Sequence, residues 1–69
     1  MSDNKLIAFG SKVREIRKQQ GISQEKLAEL SDTDRSYMGR IERGEKNVTL
    51  TKIYQIADAL KINIKDFFD

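Results

Sequence analysis

Apolar residues recur at helical spacing through most of this chain. Between residues 3 and 20, Leu6, Phe9, Val13 and Ile16 follow one another at intervals of three and four, the stripe of an amphipathic helix. Asp3 is placed to cap its start, and Gly21 to supply the left-handed residue at its end. Gly10 interrupts the stripe, where glycine lowers helix propensity, and the pattern gives no reason for it. Ser23 then caps a short second helix from residue 24 to 30 or 31, with Leu27 and Ala28 inward. Ser31-Asp32-Thr33-Asp34 is a turn cluster, and Asp34 is the N-cap of a third helix over residues 35–43. In that helix Met38 and Ile41 point inward, and Gly44 closes it. After the polar loop at 45–48, Thr49 or Thr51 opens a fourth helix in which Leu50, Ile53, Ile56, Ala57 and Leu60 repeat the stripe. A terminal turn over 64–68 is tied down by Ile62, Ile64, Phe67 and Phe68. Strand-like alternation is confined to Ile62-Asn63-Ile64, too short to pair alone. The pattern predicts an all-α fold, a compact bundle of four to five short helices, with residues 1–69 as one domain.

Composition narrows the chemistry. Cysteine is absent, which removes disulfides, thiolate metal sites and thiol catalysis. Histidine is absent too, and with it the commonest general base and metal ligand. No cofactor or metal is expected, and an enzyme is the weakest reading. The longest apolar run, Leu6-Ile7-Ala8-Phe9, is far short of the ~20 residues of a membrane span. The start Met1-Ser2-Asp3-Asn4 is polar and acidic where a secretory signal is basic, so a cytoplasmic location is expected. Net charge is only +2. Residues 1–46 carry ten Lys/Arg against eight Asp/Glu and residues 47–69 three of each, so the whole surplus lies in the first two thirds. Lys12, Arg14, Arg17 and Lys18 form its densest cluster, which on charge alone is equally a solvated helix face.

The second and third helices are short, joined by a tight turn and flanked by packing helices. That arrangement lets the later helix of the pair lie in a DNA major groove. Ala28 falls where the two helices cross and a larger side chain would push them apart. Asp32 falls where the chain turns sharply, a position suited to glycine, and aspartate is among the few other residues that tolerate positive φ.

The run Ile22-Ser23-Gln24-Glu25-Lys26-Leu27-Ala28-Glu29-Leu30, followed by Arg40-Ile41-Glu42-Arg43-Gly44, resembles the Cro/repressor-type (lambda-repressor-like) helix-turn-helix family. Within that family, Asp34-Arg35-Ser36-Tyr37-Met38 and Lys46-Asn47-Val48-Thr49-Leu50 are most similar to the controller proteins of restriction–modification systems. The likeness covers roughly residues 9–68, with the motif over about residues 24–43. Asp32 stands where the family has glycine, and Thr33 where an apolar residue commonly plugs the turn. Both departures imply a somewhat weaker turn.

The resemblance implies roles position by position. Arg35, Ser36 and Arg40 match places whose counterparts reach base edges, where arginine can fork onto guanine O6 and N7. Tyr37 matches an aromatic position near the phosphates and a deformable base step, and joins the base-contacting set. Gln24 matches a residue that binds a backbone phosphate beside free helical N–H groups. Arg43, Lys46, Asn47 and Thr49 match loop positions that hold the second strand's phosphates. Each has a plainer reading: solvated cations at Arg35, Arg40, Arg43 and Lys46, a ring packed on the second helix at Tyr37, a first-turn helix former at Gln24. Arg17 and Glu42 match a structural ion pair that bridges the first helix to the end of the recognition helix.

The C-terminal region, about residues 60–69, gathers more large apolar groups than the end of so small a chain can hide. In similar proteins this region forms a two-fold interface. Ile64 and Phe68 are the expected interface residues, with Ile62 and Phe67 turned to the core. The implied function is a transcriptional regulator that binds a (pseudo)palindromic operator as a homodimer, of the restriction–modification controller kind. The implied partners are double-stranded DNA, a second copy of the chain and, as a candidate, RNA polymerase. The competing readings are a phage-type repressor, an antitoxin-type module whose main partner is a toxin protein, and the DNA-binding part of a longer regulator.

Overall fold

The computed structural model describes residues 4–68; the proposed Asp3 cap lies outside them. The described chain forms α1 (Asn4–Gln19), α2 (Gln24–Leu30), α3 (Arg35–Glu42) and α4 (Leu50–Leu60), then a 3₁₀ turn, Ile64–Phe67. Local signals set the boundaries. Ser23 Oγ accepts from the Lys26 amide, Asp34 from the Ser36 and Tyr37 amides, and Thr49 Oγ1 from the Lys52 amide, each satisfying an orphan donor of a first turn. Thr49, of the two candidates, is therefore the cap of α4. Gly21 and Gly44 take φ of 70° and 75° at the ends of α1 and α3, the left-handed conformation that glycine adopts at least cost.

The core takes Phe9 and Val13 from α1, Leu27 and Ala28 from α2, and Met38 and Ile41 from α3. Ile56, Ala57 and Leu60 of α4 and Phe67 of the terminal turn complete it. Phe9 meets Phe67 edge-on, with ring centroids 5.1 Å apart. Leu50 departs from the expected stripe: it is 65% exposed. Its helical phase is shared with buried Ala57, two turns on, so its exposure reflects its place at the first position of α4 and not its phase.

Gly10 has a reason that only tertiary structure supplies. A Cβ there would lie 2.3 Å from the Ile41 carbonyl oxygen and 2.7 Å from that of Glu42. The missing side chain lets α1 cross the end of α3 backbone against backbone. Nearby, Gly44 leaves a matching gap for Ile7 of α1.

The turn between α2 and α3, expected to be somewhat weak at Asp32 and Thr33, is closed by polar contacts. Asp32 does adopt φ 54°. However, Lys52 of α4 reaches over the turn and donates to the Ser31 and Asp32 carbonyls at 3.2 and 3.1 Å and to Thr33 Oγ1 at 2.9 Å. Ser31, almost fully buried, donates to the Leu27 carbonyl at 2.7 Å and shares a hydrogen bond with Thr33 Oγ1. A polar clasp thus stands at the place where Thr33 departs from the apolar plug common in the resembling family. Among the described residues, every buried side-chain nitrogen and oxygen has a partner.

Candidate nucleic-acid interface

The exposed side of α3 follows from its period. Met38 and Ile41 take the core side, so Ser36 and Arg40, four apart, share the opposite face. Both are exposed, as is Arg35 at the first position of the helix. Tyr37 is half-buried and packs against the core, so only part of its ring is open to a ligand. The Asp34 cap fixes the amides of Ser36 and Tyr37 and with them the helix start that carries Arg35.

A shallow hollow lies beside this face, lined by Gln24, Arg35, Ser36, Gly39 and Arg43. A neighbouring one is lined by Arg14, Gln24, Gly39, Glu42 and Arg43. Gly39 is the floor common to both: a Cβ there would come within 3.2 Å of Arg43 Nη1 and 3.4 Å of Gln24 Oε1. The fold therefore brings together Gln24, Arg35, Ser36 and Arg43, which the sequence placed in separate roles. Lys46, Asn47 and Thr49 continue along the loop from α3 to α4 and line neither hollow. Gly39 and Arg14 line these hollows and are not among the residues that the sequence singles out for the site. A glycine in the middle of a recognition helix was the available signal for the first.

One structural pair orients this site. Arg17 Nε donates to Glu42 Oε2 at 2.8 Å and Arg17 Nη2 to Glu42 Oε1 at 3.1 Å; a third nitrogen, Nη1, donates to the Ile22 carbonyl at 3.0 Å. Gln24 Nε2 also donates to Glu42 Oε1, at 3.1 Å. The first-turn glutamine of α2 is thereby held by the last residue of α3, with its carbonyl oxygen turned toward the hollow floor at Gly39. The basic cluster of α1 splits accordingly. Arg17 is buried in the pair, Arg14 lines the hollow beside Gln24, and Lys12 lines a different depression with Glu15, Gln20 and Asp66.

Charge is not uniformly positive here. Arg43 Nε donates to Glu45 Oε2 at 2.9 Å, with a longer second contact from Nη2 at 3.4 Å. The hydrogen bond from Arg43 holds the Glu45 carboxyl below its ordinary range, with lesser attraction from the charges of Arg43 and Arg40. The same bond raises the Arg43 guanidinium. At the C-terminus, Phe67 is buried and Ile62 half-buried against the core. Ile64 is also half-buried against it, whereas Phe68 is 64% exposed and stacks on Phe9 at 6.1 Å. No group of three or more potential metal-binding side chains exists among the described residues, and no helix there is long and apolar enough to cross a membrane.

Comparison with known proteins matches this arrangement. The helix-turn-helix family pattern spans residues 13–67. The control protein C.BamHI of Bacillus amyloliquefaciens is 46% identical over 70 aligned positions, covering 100% of this chain and 86% of that protein. The crystal structure of the restriction–modification controller protein C.AhdI from Aeromonas hydrophila superposes with a TM-score of 0.90 at 49% identity, over 91% of this chain and 96% of that one. The controller C.Esp1396I, solved bound to a 25 base pair operator site, superposes with a TM-score of 0.87 at 32% identity, over 96% and 87%. With four α-helices among the described residues, a capped helix-turn-helix pair and these relatives, the chain belongs to the Cro/repressor-type helix-turn-helix family, alongside the restriction–modification control proteins.

Proposed function

We propose that this chain is a transcriptional regulator of the restriction–modification controller kind, which binds a two-fold symmetric operator as a homodimer. The observation that carries this reading is the convergence of Gln24, Arg35, Ser36 and Arg43 around Gly39, on the exposed flank of a rigidly capped α3. Arg35, Ser36 and Arg40 read base edges in the major groove, with Tyr37 at the groove margin. Gln24 and Arg43 hold backbone phosphate from either side of Gly39, and Lys46, Asn47 and Thr49 extend that grip along the following loop. Thr49 keeps its hydroxyl lone pair on the Lys52 amide and still has a proton to donate to phosphate.

One short helix in one groove makes few contacts. A second copy doubles them and adds the requirement that half-sites lie about 10 bp apart, centre to centre. Phe68, largely exposed, is the main interface group, and Ile64 adds the edge that the core leaves open. The names of the relatives favour the controller reading over a phage-type repressor or an antitoxin. Control of transcription at such an operator makes RNA polymerase the further partner, in the cytoplasm. No catalysis, cofactor or metal enters this reading.

The test is to map backbone amide signals as a short random-sequence duplex of about 25 base pairs is added. The expected shifts centre on residues 24, 35, 36, 40 and 43, with little change over residues 58–61. Shifts centred on another face, or none, would overturn the assignment.

A further inference from the structure

We propose that Glu45 is an internal stand-in for DNA phosphate, lowering the affinity of the regulator for duplexes of every sequence. This rests on the reading above that α3 and its following loop face DNA. Glu45 is an exposed carboxylate two residues after Arg43, and it takes the Arg43 guanidinium at 2.9 and 3.4 Å. A guanidinium presents the same fork of donors to a carboxylate as to a phosphate. Glu45 therefore occupies the donors that Arg43 would offer to the backbone. Arg40 lies close enough to stabilise the Glu45 charge as well, so one carboxylate is set against two of the cations assigned to DNA.

The pair is in open solvent, with the Arg43 and Glu45 side chains 59% and 46% exposed. Such pairs add little to fold stability, so Glu45 has no strong structural reason to be there. Its effect is felt on binding. When Arg43 turns to phosphate it must release Glu45, and the freed carboxylate then stands beside the phosphate backbone and repels it. The Arg43–Glu45 unit carries no net charge, so it displaces fewer counterions from DNA than Arg43 alone would. The penalty is blind to base sequence. Contacts from Arg35, Ser36 and Arg40 offset it at an operator, and nothing offsets it on bulk DNA.

The experiment measures binding of the full chain to a random-sequence duplex of about 25 base pairs across a salt series, for wild type, Glu45→Gln, Arg43→Ala and the double variant. Glu45→Gln is expected to tighten binding about three- to tenfold at low salt and to steepen the slope of log affinity against log salt by up to about 0.9. With Arg43→Ala already present, the same change is expected to give less than half of that logarithmic gain. An equal gain in both backgrounds, no gain, or weaker binding on Glu45→Gln each overturns the proposal. Failure of the wild-type chain to bind any duplex overturns the functional reading itself. Wild-type binding unaffected by Glu45→Gln leaves that reading intact and removes only the role of Glu45. Unchanged circular dichroism of Glu45→Gln shows that these readouts are not effects of unfolding.

Discussion

Arg17 grips Glu42 through two nitrogens at 2.8 and 3.1 Å, across 25 positions of sequence, and so ties α1 to the last residue of the recognition helix. The Glu42 side chain is 3% exposed and that of Arg17 10%. A pair this dry adds little net stability over an apolar replacement, because desolvating both charges offsets their attraction. Its effect is geometric: the same carboxylate holds Gln24, so one ion pair sets the relation of α1, α2 and α3.

Removing one partner of this pair is expected to be severe. Arg17→Met leaves a buried carboxylate with Gln24 alone and should cost about 3–5 kcal/mol in urea unfolding. The combined change Arg17→Met with Glu42→Leu should recover most of that loss. A single variant that loses under about 1 kcal/mol would show the pair to be solvent-screened.

Gly10→Ala separates local propensity from tertiary packing by the sign of its effect. Within a helix, alanine is favoured over glycine by about 0.5–1 kcal/mol. Here the new methyl would sit 2.3 Å from the Ile41 carbonyl oxygen, which is backbone and cannot swing aside. The expected result is a loss of about 1–3 kcal/mol, seen as a lowered midpoint in chemical denaturation. A stabilised variant would contradict the close crossing of α1 and α3.

These two cases mark where the sequence can be read and where it cannot. Ser23, Asp34, Thr49, Gly21 and Gly44 act within a turn of their own position, so the helix boundaries follow from residues in order along the chain. The Arg17–Glu42 pairing is legible only through family likeness, since nothing local shows that Arg17 and Gln24 meet a residue 25 and 18 positions away. The reasons for Gly10 and Gly39 lie entirely in what approaches them. Leu50 matched the apolar spacing yet is exposed, because period alone does not say which residues at a helix end have a neighbour to pack on.

Lys52 is the clearest residue that the pattern hid. Its three hydrogen bonds close the turn between α2 and α3 from 19 to 21 positions away. Lys52→Met keeps the aliphatic stem and removes the donors. It should cost about 1–2 kcal/mol and speed amide exchange at residues 32 and 33. Unchanged exchange there would mean that the clasp is not formed in solution.

The Glu45 carboxyl should titrate below an ordinary glutamate, because the Arg43 guanidinium bonds to its charged form. The sign follows from that direction. With the folded value depressed, the pair's small contribution to stability is present above the unfolded value and is lost as pH falls through the folded one. Side-chain carboxyl NMR titration checks this: Arg43→Ala should move the midpoint back up, and an unmoved midpoint would show that the pair does not persist.

Phe68→Lys should shift the protein from dimer to monomer in sedimentation while leaving its helical spectrum in place, since the ring is largely exposed. Ile64→Lys should lower stability as well, because Ile64 packs against the core. A full dimer in the Phe68 variant would move the interface elsewhere, with exposed Leu50 and Tyr54 of α4 the next surface to change.

Arg35→Ala and Lys46→Ala should differ in kind. The first should cost about 1–3 kcal/mol on the preferred site and relax preference at one base pair. The second should weaken binding to all duplexes alike and flatten the salt dependence by roughly one unit. Equal losses on specific and random DNA for Arg35→Ala would reassign it to the backbone.

Whether a dimer reads a symmetric operator through α3 can be decided by selecting bound sequences from a pool of randomised duplexes. Enrichment is expected of an inverted repeat whose half-sites are centred about 10 bp apart, with the enriched base preferences weakened at one position of each half when the selection is repeated with Arg35→Ala. Enrichment of a single unrepeated site, or of no sequence at all, would contradict such a reading.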